Sequence, residues 1–210
     1  MNHDMTISWA ALFALGAFHG ANPGMGWLFA VALGMQERRR SAVWRALLPL
    51  GAGHALAVAA AVLLAIVAGT VLPANPLRWS IAVILIVFGL TRLVRHRHPK
   101  WARMRVGMGR LTLWSFLMAS AHGAGLMVLP VFLSMTAAAG QPSMDTSHTT
   151  TALLASSLHA AGYLLVTALV AVLVFEKLGV AVLRKAWFNL DLVWGVALAG
   201  SGVAIFMKTV

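Results

Sequence analysis

The sequence predicts an all-α polytopic membrane protein: six transmembrane helices arranged as two inverted three-helix repeats, with helices 1 and 4 interrupted. Three observations carry this expectation. The 210 residues are 60% hydrophobic and only 10% charged, against about 25% charged in a soluble domain. The apolar residues fall in long runs, each close to the ~20 residues a helix needs to cross a bilayer. A histidine pattern also occurs twice. Ala17-Phe18-His19-Gly20-Ala21-Asn22-Pro23-Gly24 is followed by Gly53-His54-Ala55, and Ser120-Ala121-His122-Gly123-Ala124-Gly125 is followed by Leu158-His159-Ala160. The two halves are offset by 103 residues at the first histidine and by 105 at the second.

Taken in order, the runs give six spans of roughly 6–35, 46–70, 76–94, 111–137, 150–175 and 188–207, with ends good to a few residues. Span 1 is too long for one simple helix, and Asn22-Pro23-Gly24 breaks it near its centre. Proline removes a backbone donor and crowds the preceding turn, and glycine accepts backbone that a helix refuses. The carbonyls freed near positions 19–20 need partners, which they find only where the break is buried in protein or lines a wet cavity. Span 2 runs from the Arg-rich loop at Glu37–Arg45 to the Pro-containing turn at Leu72–Arg78. Span 3 ends at the long basic loop Arg92–Arg110. Span 4 carries its own weak point at His122-Gly123-Ala124-Gly125, with Pro130 beyond it. Span 5 lies between the polar loop Gly140–Thr150 and the short connection Glu176–Ala186, and span 6 closes the chain. The whole is one membrane domain over 1–210: a first repeat at about 6–94, a cytoplasmic linker at about 95–110 and a second repeat at about 111–207.

Charge sets the expected orientation. Of the sixteen Lys and Arg residues, only Arg78 and Lys208 fall outside the loops that follow spans 1, 3 and 5. The positive-inside rule puts those loops in the cytoplasm and both termini outside, in a bacterial-type inner membrane. Trp9, Trp44, Trp79, Trp101, Trp114 and Trp187 stand near span ends, where amphipathic rings favour the interface. Three spans per half is an odd number, so the second half runs opposite to the first. Inverted repeats of this kind build midplane sites in many secondary transporters.

The net charge of +11 does not signal nucleic-acid binding, because it sits in short loops between apolar runs. The absence of cysteine excludes thiolate chemistry. The leader Met1–Met5 lacks the basic n-region of a cleavable signal peptide, so the first run is expected to be a retained helix. Walker, His-Glu-x-x-His and Gly-x-Ser-x-Gly motifs are lacking, and the chain is not expected to be an enzyme.

The chemistry resides in the histidines. Taken singly, each is a packing residue hydrogen-bonded across a helix interface. Four in repeat-related positions form a candidate functional cluster, since ionisable groups at membrane depth are costly. His54 and His159 lie about nine residues from a span end, roughly 13 Å deep and near the centre of a 30 Å core. His19, His54, His122 and His159 are thus candidate metal ligands at one level, with Met25 and Met127 as softer contacts. Asn22, Gly20, Gly24, Ser120, Gly123 and Gly125 are candidate substrate contacts. Gly16, Gly20 and Gly24 are spaced four apart, which suits close helix packing, above all for Gly16.

These residues resemble the six-span transporters of the lysine-exporter superfamily, nearest the nickel/cobalt (NicO-type) permeases and the hydrogenase/urease accessory permeases. Those carry a His-x4-Asp-His motif in an early helix and a Gly/Ser-His-Ala/Ser/Thr motif in the next. His19 matches the leading histidine and Gly53-His54-Ala55-Leu56 the second motif, while Gly24-Met25 stands where the family has Asp-His. The resemblance implies a transition-metal permease, and the missing carboxylate suits a softer ion or an uncharged or anionic substrate.

The expected function is a secondary transporter that moves a transition-metal cation through a midplane histidine site by alternating access. No tightly bound cofactor is expected; the metal is substrate and lipid is the surrounding partner, and a homo-oligomer is left open. The first alternative is a proton-coupled exporter of a small organic or inorganic solute, with histidines as proton carriers. The second is a membrane enzyme or cofactor-insertion protein holding haem or metal on paired histidines. Weaker features are His3, third in a chain whose amino terminus can wrap Cu(II) or Ni(II); the outer-loop set Met144, Asp145 and His148; His96 and His98 beside lipid headgroups; and Asp191, which suits the first turn of span 6.

Overall fold

A computed structural model describes residues 3–94, 107–137, 146–178 and 190–209. Among the described residues the protein is all-helical. The helices are α1 (His3–Ala21), α2 (Trp27–Glu37), α3 (Arg40–Val71), α4 (Ala74–Val94), α5 (Met108–His122), α6 (Ala124–Ala137), α7 (Thr146–Leu173) and α8 (Leu190–Thr209). A single 3-10 turn, Pro23–Met25, separates α1 from α2, and a π-helical segment, Val174–Leu178, continues α7. Most of the linker at 95–110, together with His96, His98, Met144 and Asp145, lies outside the described residues, as do the side chains of His3, His148 and Asp191.

Local chemistry explains the boundaries. Pro23 opens the 3-10 turn, where its missing N–H costs nothing. Gly26, at φ 133°, leads into α2 in a conformation that only glycine adopts readily. Helix α5 ends at Gly123, whose φ of 73° makes it a left-handed cap donating its N–H to the Ser120 carbonyl at 3.0 Å. The axis then bends by 60° into α6. Pro49 sits inside α3 without ending it.

Among the described residues two helices are long and apolar enough to cross a membrane, over Arg40–Gly69 and Thr149–Lys177, and α5 with α6 makes a third if the bent pair is one span. The other apolar stretches, Thr6–Ala21, Asn75–Thr91 and Gly195–Met207, are shorter. Leu63, Leu64 and Val67 on α3 and Leu165, Leu169 and Leu173 on α7 are exposed. Outward aliphatic faces of this extent suit hydrocarbon better than water.

Packing crosses between the halves of the chain. Helix α1 lies against α7, α3 against α5, and α4 against α8. Small residues permit each approach. A β-carbon on Gly16 would meet the His159 carbonyl oxygen and come within 3.0 Å of the Tyr163 nitrogen. One on Gly53 would stand 2.8 Å from the Phe116 nitrogen. The α4–α8 contact is reciprocal: a β-carbon on Gly89 would lie 2.7 Å from the Gly195 oxygen, and one on Gly195 would lie 3.0 Å from the Gly89 oxygen. Gly89 also faces Ala199, while Gly195 faces Leu93.

One apolar core joins Leu12, Val58, Phe132 and Tyr163, and a second joins Trp27, Val43, Leu50 and Val174. At the Arg-rich end, Arg45 pairs with Glu37, and Arg40 reaches Glu176 at 3.0 Å. Such exposed pairs contribute at most about 1 kcal/mol each.

Candidate functional site: a buried histidine cluster beside a broken helix

The break after α1 leaves backbone groups that the helix would have paired, and neighbouring groups take them up. The Asn22 N–H reaches the His19 carbonyl at 3.1 Å, and the Asn22 side chain accepts the Gly24 N–H at 2.8 Å. The Gly20 carbonyl, deprived of that N–H, receives the Thr167 hydroxyl at 3.4 Å. The Trp27 indole donates to the Ala21 carbonyl at 3.1 Å. The Tyr163 hydroxyl donates to the Met25 carbonyl at 2.7 Å. Thr167 and Tyr163 both come from α7, so the second half of the chain holds the break in the first. The freed carbonyls have partners inside the protein: the Asn22 backbone N–H for His19 and the Thr167 hydroxyl for Gly20. Asn22→Ala is expected to lower stability by about 1–2 kcal/mol by stranding the Gly24 N–H, seen as a drop in the thermal unfolding midpoint in detergent.

Three histidines gather beside this break. His19 lies in the last turn of α1, His54 on α3 and His159 on α7, and each is at most 1% exposed. Their ring centres are 5.4 Å apart for His19–His54, 5.1 Å for His19–His159 and 5.4 Å for His54–His159. The His54 and His159 rings are within 9° of parallel. Tyr163 stacks on His54 itself, its ring centre 3.8 Å away and its plane within 5°. His122, buried at the end of α5, stands across the break, and its Nε2 would be 3.7 Å from a β-carbon on Gly24.

Hydrogen bonds fix the tautomers of two rings. His19 Nδ1 donates to the Leu15 carbonyl at 3.0 Å, and His122 Nδ1 donates to the Met118 carbonyl at 2.9 Å. A carbonyl only accepts, so the proton is on Nδ1 and Nε2 carries the lone pair of the neutral ring. Nε2 of His54 and Nε2 of His159 have no hydrogen-bond partner among the described residues. A buried imidazole nitrogen left so is costly and suits a ligand.

No family model, curated protein or solved structure matches the chain. The chemistry of the site therefore rests on its own residues. Two imidazoles on one tetrahedral metal, with bonds of about 2.0–2.1 Å, have ring centres roughly 5 Å apart. The observed spacings have that size. As the side chains stand, however, no group of three His, Asp or Glu among the described residues is arranged to hold a metal ion. The rings are close, but the His54 and His159 planes lie within 9° of parallel and His54 is also stacked flat on Tyr163.

The remaining expected site residues are distributed differently. Gly24 faces His122, and Asn22 is buried at the break. Met25 is buried and offers its carbonyl to Tyr163. Gly20 packs on α7 at Tyr163 and Thr167, and Gly125 packs on α3 at Ala57 and Ala61. Gly123 backs onto Phe88 and Leu198, Met127 belongs to the larger apolar core, and Ser120 is exposed. Sequence reasoning missed Tyr163, Thr167 and Ser115. Ser115 donates to the Leu50 carbonyl at 2.6 Å, one turn before His54. A signal existed for two of them: the only tyrosine in the chain and Thr167 follow His159 at four-residue steps along one face of α7.

Proposed function

We propose that the chain is a membrane transporter of two inverted three-helix repeats that moves a transition-metal cation through the histidine cluster by alternating access. The single observation behind this reading is the meeting of His19, His54 and His159, from three helices of both halves, as buried rings spaced like imidazoles that share one cation. The aligned partners of a repeat support it. His19 and His122 both stand in the last turn of a helix before a break, and both bond the carbonyl four residues back. Gly89 and Gly195 touch each other, and the Gly89–Ala199 contact has its counterpart in Leu93–Gly195, as a twofold relation requires. In this reading α1 with α2, and α5 with α6, each form one broken span. The shorter apolar helices α4 and α8 complete six, both termini lie outside, and the basic loops lie in the cytoplasm. Rocking one half against the other would open the cluster to either side.

The transported ion is one that takes imidazole without carboxylate or thiolate. That favours Ni(II), Zn(II), Co(II) or Cu(II) over Mg(II) and Ca(II). A second reading, proton-coupled export of a small solute, draws on the absence of a ready three-ligand arrangement among the described residues. One experiment separates the two. Detergent-purified protein and a variant with all four histidines changed to alanine are dialysed against Ni(II) and Zn(II), and bound metal is measured. About one equivalent on the wild type and almost none on the variant is expected. Equal, near-zero binding by both, with solute efflux driven by a pH gradient, would favour the second reading.

A further inference from the structure

Tyr163 touches both the histidine cluster and the break in the first span. It is the only tyrosine in the chain and is fully buried. Its ring lies flat on His54, 3.8 Å between centres, and its hydroxyl donates at 2.7 Å to the Met25 carbonyl in the 3-10 turn. It follows His159 by one helical turn, so one face of α7 presents first a cluster histidine and then Tyr163. One turn further, Thr167 bonds the Gly20 carbonyl on the other side of the break. A single rigid ring therefore touches the cluster with its face and the broken backbone with its hydroxyl.

The present ring planes sharpen this. The three histidines are spaced for a shared cation but not turned toward one. Closing the three rings around an ion requires a change in their planes, and His54 is the ring held in a stack with Tyr163. Rotation of an aromatic group out of a tight stack displaces its neighbour, because a packed interior has no free volume to absorb the change. Here the displaced neighbour is bonded to the backbone between α1 and α2.

We propose that Tyr163 is a positioning residue that couples the histidine cluster to the break in the first span: its ring sets the plane of His54, and its hydroxyl transmits movement of that ring to the Met25 carbonyl. The proposal rests on the reading of the cluster as a cation site. Ring and hydroxyl then have separable effects. The ring governs how readily His54 turns toward an ion, and so governs affinity. The hydroxyl governs whether that turn reaches the α1–α2 break, and so governs turnover.

The lone tyrosine gives a direct test. Growth on 3-fluorotyrosine places one fluorine label in the chain, on Tyr163. The labelled full-length protein in nanodiscs is titrated with Zn(II), and binding is measured in parallel by equilibrium dialysis. The single fluorine resonance is expected to shift or split with the same half-saturation as binding. Zn(II) bound in dialysis with an unmoved resonance overturns the proposal and leaves the cation site standing. No binding by the wild type overturns the cation site, and this proposal with it. In proteoliposomes, Tyr163→Phe is expected to keep the half-saturation for Zn(II) uptake within about two-fold while the maximal rate falls about ten-fold. Tyr163→Leu, which loses the ring, is expected to raise the half-saturation about ten-fold. A merely structural residue would give no such split, so parallel losses in both parameters from both variants overturn the proposal. The fluorine titration decides the matter if either variant fails to fold.

Discussion

His19→Asn and His122→Asn are each expected to reduce metal transport by at least about 100-fold, with the protein still inserted and folded. The substitution is chosen for its geometry. The asparagine amide can reproduce Nδ1–H and keep the bond to the Leu15 or Met118 carbonyl. It has nothing at the place of Nε2, the atom that carries the lone pair in both rings. Alanine removes both functions and leaves a cavity, so His19→Ala and His122→Ala should lose transport and some stability together. His122 discriminates most sharply, because it stands across the break beside Gly24 and outside the close group of three. If metal accumulation in cells is unchanged in both asparagine variants at equal membrane abundance, the histidines are packing residues and the transport proposal fails.

Gly16→Ala is expected to destabilise the protein by about 1–3 kcal/mol and to abolish metal binding. Its β-carbon would overlap the His159 carbonyl oxygen and lie 2.8 Å from the carbonyl carbon. Backbone on both sides cannot yield as a side-chain tip can, so α1 and α7 must separate. Those two helices carry His19 and His159, whose ring centres are 5.1 Å apart. A separation of even 1 Å would move the two proposed ligands off a common ion, since coordination bonds tolerate only a few tenths of an ångström. Gly200→Ala is the control. A β-carbon there meets nothing within 4 Å, and alanine in place of a mid-helix glycine adds about 0.5–1 kcal/mol. The two variants should therefore move the unfolding midpoint in opposite directions. Equal midpoints for Gly16→Ala and wild type would mean that α1 and α7 are not in the contact described.

The two predictions depend on different kinds of information. That the chain is helical, that it is largely apolar, and that it breaks after His19 and His122 could be read from the residues. Proline, glycine and long apolar runs act locally, through dihedral limits and burial, and need no distant partner to be recognised. The histidine motif was visible twice, at nearly equal offsets. The reciprocal Gly89–Gly195 contact was not, because glycine is frequent in apolar helices and its spacing has no chemical mark.

The arrangement of the site was decided by tertiary packing. The sequence put four histidines at one level; the fold brings three rings to within 5.4 Å and sets His122 beside Gly24. It turns Ser120 outward and gives Gly125 to a helix contact. It also recruits Tyr163 and Thr167 from more than 100 residues away to pair the carbonyls that the break exposes. Sequence alone fixed where the backbone had to leave the helix, since that follows from the dihedral limits of proline and glycine. Which groups would satisfy the freed carbonyls, and which way each imidazole would face, depended on neighbours brought in by helix packing. A hydrogen bond or a ring stack is a short-range contact between groups far apart in the chain, so no local pattern could specify it.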